Sequence, residues 1–148
     1  MKLIHLTDTH FVPQHQTLYG RDPSVALKRC LADINSNHAD ADLCVITGDL
    51  THWGEPEAFG HLRECLSVLN MPLQLLVGNH DDRDVFRQWF GDHPCDENGF
   101  IQSVEDLPVG RFVYLDTNEP GYHEGWYCEQ RLQWLERQFA DAKGKDLY

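Results

Sequence analysis

Basic residues are scarce in this sequence: 12 Lys and Arg stand against 24 Asp and Glu, a formal charge of −12. A field of that sign repels nucleic-acid backbones and anionic membrane surfaces, which argues against nucleic-acid binding through a basic patch. It also repels an anionic substrate unless bound cations reverse the sign locally. Long apolar runs are missing too. No stretch approaches the length of a membrane span, and the apolar part of Met1-Lys2-Leu3-Ile4-His5 is too short for a signal peptide, so no membrane partner is expected. The cysteines, at 30, 44, 65, 95 and 128, are odd in number and show no CxxC spacing. Cys30, Cys44 and Cys65 fall among apolar neighbours. They read as small core residues in a reducing cytosol rather than as a disulfide framework, which makes a cytoplasmic location the expectation.

What is present is an ordinary globular composition, 41% hydrophobic over 148 residues, enough for one domain that buries roughly 70% of its unfolded surface. Three apolar runs of strand length end in the same manner. Leu3-Ile4-His5-Leu6-Thr7 stops at Asp8-Thr9-His10, Leu43-Cys44-Val45-Ile46-Thr47 at Gly48-Asp49, and Leu73-Gln74-Leu75-Leu76-Val77 at Gly78-Asn79-His80-Asp81. Between them, Asp22-Pro23 and Glu55-Pro56 open helical patterns, with Leu27, Cys30, Leu31 and Ile34 on one face of the first and Phe59, Leu62, Leu66 and Leu69 on one face of the second. A short helix is predicted over 83–90. This β-α-β-α-β-α order implies a parallel sheet with right-handed crossovers. From residue 99 the pattern becomes antiparallel: Phe100–Val104 and Arg111–Leu115 read as a hairpin. A last helix follows over about 128–143, with Leu132, Leu135 and Phe139 on its contact face. Leu147-Tyr148 reads as the opening of another strand.

If the three runs are parallel neighbours, the residues that follow them converge at one edge of the sheet, where open α/β sheets bind ligands. Asp8 and His10, at i and i+2, can point the same way and form a carboxylate–imidazole pair suited to Zn, Fe or Mn. Asp49 adds a carboxylate able to bridge two cations, and Asn79 a neutral carbonyl oxygen. His80 is placed to give a proton rather than to bind metal, with Asp81 expected to orient its ring. Two cations about 3.5–4 Å apart would clamp a phosphoryl group, supply hydroxide from water and neutralise the five-coordinate phosphorus. Taken singly each motif has a plain reading: Asp after a strand is a helix cap, and Gly-Asp is a turn. The combination is what points to metal. His52 is the one other histidine close to a motif. His5 reads as packed or hydrogen-bonded, and His38, His61 and His93 as surface residues. Trp53, Tyr19 and Trp126 could line a pocket, though packing is the plainer role for each.

These three blocks resemble the first signature blocks of the calcineurin-like metallophosphoesterases. With Leu18-Tyr19-Gly20, Gly54-Glu55-Pro56-Glu57 and Gly125-Trp126, the sequence looks most like the bacterial glycerophosphodiesterase and class III cyclic-nucleotide phosphodiesterase branch. The resemblance implies a four-layer α/β/β/α sandwich. It implies two transition-metal ions (Fe, Mn, Zn or Co), held with Asp8 and His10 on one metal, Asp49 bridging and Asn79 on the other, and His80 as the catalytic imidazole. The implied activity is hydrolysis of small phosphodiesters of glycerophosphodiester type, with cyclic nucleotides as the alternative. Members of this branch often associate, which leaves a homo-oligomer open. The family's later His-rich and Gly-His-x-His blocks have no counterpart here. Residues 1–148 are therefore expected to be the N-terminal part of one metallophosphoesterase domain, and the rival expectation is a fragment without turnover.

Overall fold

A computed structural model describes residues 1–148. Strand β1 (Leu3–Leu6), helix α1 (Pro23–Asn37), strand β2 (Leu43–Thr47), helix α2 (Pro56–Leu66), strand β3 (Leu73–Leu76) and helix α3 (Arg83–Trp89) alternate in the expected order. The strands pair in parallel as β1-β2-β3, with Leu3 opposite Leu43 and Cys44 opposite Leu73. Local chemistry sets the helix starts. The Asp22 carboxylate accepts the Ser24 N–H at 2.9 Å ahead of Pro23, and the Asp82 carboxylate accepts those of Asp84 and Val85, both at 2.9 Å. None of the helices is long and apolar enough to cross a membrane.

β2 is apolar on both faces because both are covered. Ile46 joins Leu75 of β3 against Leu27, Leu31 and Ile34 of α1 and Phe59 and Leu62 of α2, with Phe86 of α3 in the same cluster. Leu43 and Val45 point the other way and meet Tyr114. Tyr114 belongs to the antiparallel pair β4 (Ser103–Leu107) and β5 (Gly110–Tyr114), which forms the second β-layer. Helix α4 (Glu129–Asp141) lies on the far face of that layer, where the Arg111 guanidinium donates to the Gln138 carbonyl at 3.1 Å. The order from outside to outside is α/β/β/α.

Three details differ from the sequence reading. The hairpin begins three residues later than predicted, at Ser103, because Phe100 and Ile101 are drawn into a loop. Their backbone N–H groups donate to Asp96 and Asp116 at 2.9 and 2.8 Å. Helix α4 buries Arg131 and Trp134, while Leu132 and Phe139 of the expected contact face are 42% and 48% exposed. His93 is not a surface residue: it sits under β3, its Nε2 2.8 Å from the Leu75 carbonyl, its ring edge-on to Phe86. Where a strand was expected at Leu147-Tyr148 there is a single parallel bridge to β5, with Tyr148 N–H donating to the Arg111 carbonyl at 3.0 Å and Val113 N–H to the Tyr148 carbonyl at 2.9 Å.

Candidate metal centre

The three loops that leave the C-terminal ends of β1, β2 and β3 are stitched together by backbone bonds. Asp8 N–H donates to the Gly48 carbonyl at 3.2 Å, His10 N–H to Asp49 at 2.8 Å and Phe11 N–H to Leu50 at 2.9 Å; the His52 N–H returns to Phe11 at 2.9 Å. Within this lattice Asp8, His10 and Asp49 all take positive φ, 57°, 44° and 48°. Such a conformation costs on the order of 1–3 kcal/mol for each non-glycine residue and gathers at functional sites. Here it falls on three of the four residues expected to bind metal.

Two glycines allow the approach. A Cβ on Gly48, whose φ is +98°, would meet the Gly78 backbone at 2.8 Å, and a Cβ on Gly78 would stand 2.1 Å from an Asp49 carboxylate oxygen. The Asp49 side chain thus occupies the space that a side chain at position 78 would need.

His10 Nε2 lies 3.6 Å from Asp8 Oδ1 and 3.8 Å from Asp49 Oδ2. Those separations are too long for hydrogen bonds, and the ligand atoms of the three residues lie within 4.8 Å of one another. Donors this far apart suit a cation with bonds of about 2.0–2.2 Å to each, and a nitrogen-plus-carboxylate set suits a transition metal. Neither Asp8 nor Asp49 is neutralised by Lys or Arg. The residues therefore fit the metal that the sequence implies. Asn79 faces the same cavity of about 200 Å³ as Asp8 and Asp49. Its amide nitrogen is 3.3 Å from His123 Nδ1, and its carbonyl oxygen is left without a protein donor.

His80 stands beside this group. Its backbone N–H donates to Asp49 Oδ1 at 3.2 Å, and its Nδ1–H donates to the His52 carbonyl at 2.8 Å. Because a carbonyl only accepts, Nδ1 keeps its proton and Nε2 is the nitrogen whose protonation can change. Asp81 does not orient this ring as the sequence suggested. Its carboxylate turns into the loops and accepts the N–H groups of Leu50 at 3.0 Å, Thr51 at 2.8 Å and Gly78 at 2.9 Å, together with the Thr51 hydroxyl at 2.9 Å. It ties the second and third loops together, and burial pushes its carboxyl above the usual range. Asp8, His10 and Asp49 thus gather as one cluster of ligand atoms, Asn79 shares a cavity with the two carboxylates, His80 stands beside them on Asp49 Oδ1, and Asp81 ties the loops beneath.

The sequence reading missed His123 and Asn118, both on the loop before α4. His123 reaches Asn79 across 44 positions, and Asn118 donates to the Asp81 carbonyl at 2.9 Å. Neither lies in a motif, so only the fold could find them. His52 was noticed only for its nearness to Asp49. Its ring is buried against His10, His80 and Trp53, with burial first and the neighbouring imidazoles next lowering its pKa. Trp53 and Tyr19 are 67% and 89% exposed beside it, and Trp126 is 61% exposed.

Residues 1–145 match the calcineurin-like phosphoesterase family. The chain is 44% identical over 144 residues to a probable cyclic nucleotide phosphodiesterase of Rhodopseudomonas palustris, covering 96% of this chain and 53% of that protein. It is 31% identical over 152 residues to a glycerophosphodiester phosphodiesterase of Enterobacter lignolyticus, with coverage of 98% and 54%. The chain thus spans about half the length of these curated relatives. A purple acid phosphatase from yellow lupin shares the fold at 13% identity, with a TM-score of 0.57 over 93% of this chain and 27% of that one. The family match takes in all three loops that meet at the sheet edge, and on it this chain belongs to the calcineurin-like phosphoesterase family.

Proposed function

We propose that the protein is a metal-dependent phosphodiester hydrolase acting on small diesters of glycerophosphodiester type, with Asp8, His10, Asp49 and Asn79 as metal ligands and His80 as the catalytic imidazole. The observation that carries this reading is the spacing of His10 Nε2 from Asp8 and Asp49, 3.6 and 3.8 Å, with His80 fixed on the other oxygen of Asp49. Asp49 would be the ligand shared between the cations, its Oδ2 facing His10 Nε2 at 3.8 Å and its Oδ1 accepting the His80 N–H at 3.2 Å. When bound, the two cations, from among Fe, Mn, Zn and Co, supply polarisation of the phosphoryl oxygens and a nucleophile at neutral pH. The chain's own part is to hold the diester and manage the leaving group. Since Nδ1 is already committed to the His52 carbonyl, His80 gives a proton from Nε2 to the departing alkoxide and must be doubly protonated to do so. A cavity of about 510 Å³ lined by Trp53, Asn79, His80 and Arg83 opens beside this ring and is of the size small ligands occupy. A larger space of about 680 Å³, by Leu73, Trp89 and Tyr114, touches none of these residues and plays no part in the reading.

Cyclic nucleotides are the second reading, favoured by the Rhodopseudomonas palustris relative. We also place the protein in a reducing compartment, the cytoplasm, which suits Cys44 and Cys65 packed as buried free thiols. The test is metal content and hydrolysis of bis(p-nitrophenyl) phosphate, by this chain and by a longer form matching the relatives. Metal uptake by both is expected, with turnover highest in the longer form and reduced about 10²–10⁴-fold by His80→Asn. Absence of metal from both forms would overturn the reading.

A further inference from the structure

Beside the predicted ligands lies a contact that their roles do not require. His52 is 6% exposed, and its Nδ1 sits 3.2 Å from Nδ1 of His10. Two imidazole nitrogens at that distance share one proton: one carries it and the other offers a lone pair. The other nitrogen of His10 decides which. Nε2 faces two carboxylates, yet at 3.6 and 3.8 Å it donates to neither. If Nε2 carried the proton, Nδ1 would be an acceptor and the proton-bearing nitrogen would have no protein acceptor within hydrogen-bond range. If Nδ1 carries it, the bond to His52 is made and the Nε2 lone pair is turned toward Asp8 and Asp49.

We propose that His52 is a positioning residue whose Nδ1 lone pair fixes His10 as the Nδ1–H tautomer, aiming the His10 Nε2 lone pair at the space between Asp8 and Asp49. This rests on the reading of that space as a metal site. His52 is well held for the task. Its N–H donates to the Phe11 carbonyl at 2.9 Å, its carbonyl accepts His80 Nδ1–H at 2.8 Å, and its ring lies edge-on to Trp53 with centroids 4.1 Å apart. One residue thereby sets both imidazoles, His80 through its backbone and His10 through its side chain. An imidazole acceptor also adds no negative charge to a site that already holds two carboxylates, in a chain of formal charge −12.

Long-range ¹H–¹⁵N correlation of the imidazoles in the metal-free chain, at about pH 8 where ordinary histidines are neutral, reads the tautomers directly. His10 is expected as Nδ1–H and His52 as Nε2–H. In His52→Phe the His10 proton is expected to move to Nε2, and metal affinity, titrated with Zn²⁺ and Mn²⁺ in separate runs, to fall roughly 10–100-fold. His52→Asn, whose amide oxygen can replace the Nδ1 acceptor, is expected to keep the tautomer and recover most of the affinity. A His10 Nε2–H tautomer in the unmodified chain overturns the proposal. So does a His52→Phe variant that is merely less stable, with tautomer and affinity unchanged. Should His52→Phe not fold, the unmodified chain and His52→Asn still decide. A chain with the expected tautomers that takes up no metal would instead count against the phosphodiesterase reading.

Discussion

At the scale of single residues the centre depends on what is missing as well as on what is present. Gly78 has no Cβ, and the Asp49 carboxylate fills that space. Gly78→Ala would place a carbon 2.1 Å from Asp49 Oδ1 and 2.4 Å from its backbone nitrogen. Since the backbone cannot yield cheaply, the expected cost is about 1–3 kcal/mol in urea unfolding. Asp49 should be displaced with it, so metal stoichiometry measured on the dialysed protein should fall as well. A variant that keeps both would show that Asp49 moves without loss. The ligand-type residues were legible in the sequence because parallel strands in register deliver their following loops to one edge; knowing strand, order and residue type was enough. The task of Asp81 was not legible. Adjacency to His80 suggested a partner, whereas the backbone turns its carboxylate toward Leu50 and Thr51, some 30 residues away in sequence. Nearness to a motif marks His52 in the sequence but does not name its partner, and nothing marks His123: their partners, 42 and 44 positions distant, exist only once the sheet has formed.

Among the elements, the loop before α4 is held by ions rather than by apolar packing. Asp116, wholly buried, accepts the Arg83 guanidinium at 2.7 and 3.0 Å and the backbone N–H groups of Ile101 and Asn118. Arg131, equally buried, donates to the carbonyls of Asp116 and Asn118 and lies over the Phe100 ring at 4.5 Å. This explains why α4 turns Arg131 inward and leaves Leu132 outside. Helical periodicity ranks residues by hydropathy and cannot anticipate a guanidinium that finds its partners in a loop. Arg131→Leu is expected to cost about 1–3 kcal/mol, because the buried Asp116 carbonyl loses its guanidinium donor while the Asn118 carbonyl keeps that of Arg83. Arg137→Leu, which removes a pair exposed by 52% and 59% at its two side chains, should cost under about 1 kcal/mol; equilibrium unfolding of the two variants tests the contrast. The hairpin offers a pH test. The Arg111 guanidinium, and then Lys145, hold the Asp106 carboxyl well below the usual carboxylate range. A pKa lowered by folding adds stability above the unfolded value, near pH 4, and loses it as pH falls through the folded value. The stability gap between the protein and Asp106→Asn should therefore be open at neutral pH and close progressively below about pH 4. A gap that stays constant to low pH would remove the ion pair from the account.

For the molecule as a whole, the acidic balance and the strained loops point to the same linkage. Asp8, His10 and Asp49 hold an unfavourable backbone conformation, and two of them bring carboxylates to one hollow in a chain already carrying a formal charge of −12. A cation that binds there meets a site assembled only in the folded chain, because its ligands come from loops far apart in sequence. Binding to the folded state alone stabilises by about 2.7 kcal/mol at a free concentration 100 times Kd. In a domain near 150 residues each kcal/mol moves Tm by roughly 2–4 °C. Titrating Zn²⁺ or Mn²⁺ into the chelator-treated chain is therefore expected to raise Tm by roughly 5–11 °C at that saturation, and Asp49→Ala, lacking the shared ligand, should respond little. Asp106→Asn, whose pair lies in the hairpin, should gain as much as the unmodified chain. If Asp49→Ala gained equally, the cation would be binding somewhere other than the edge where the three loops meet.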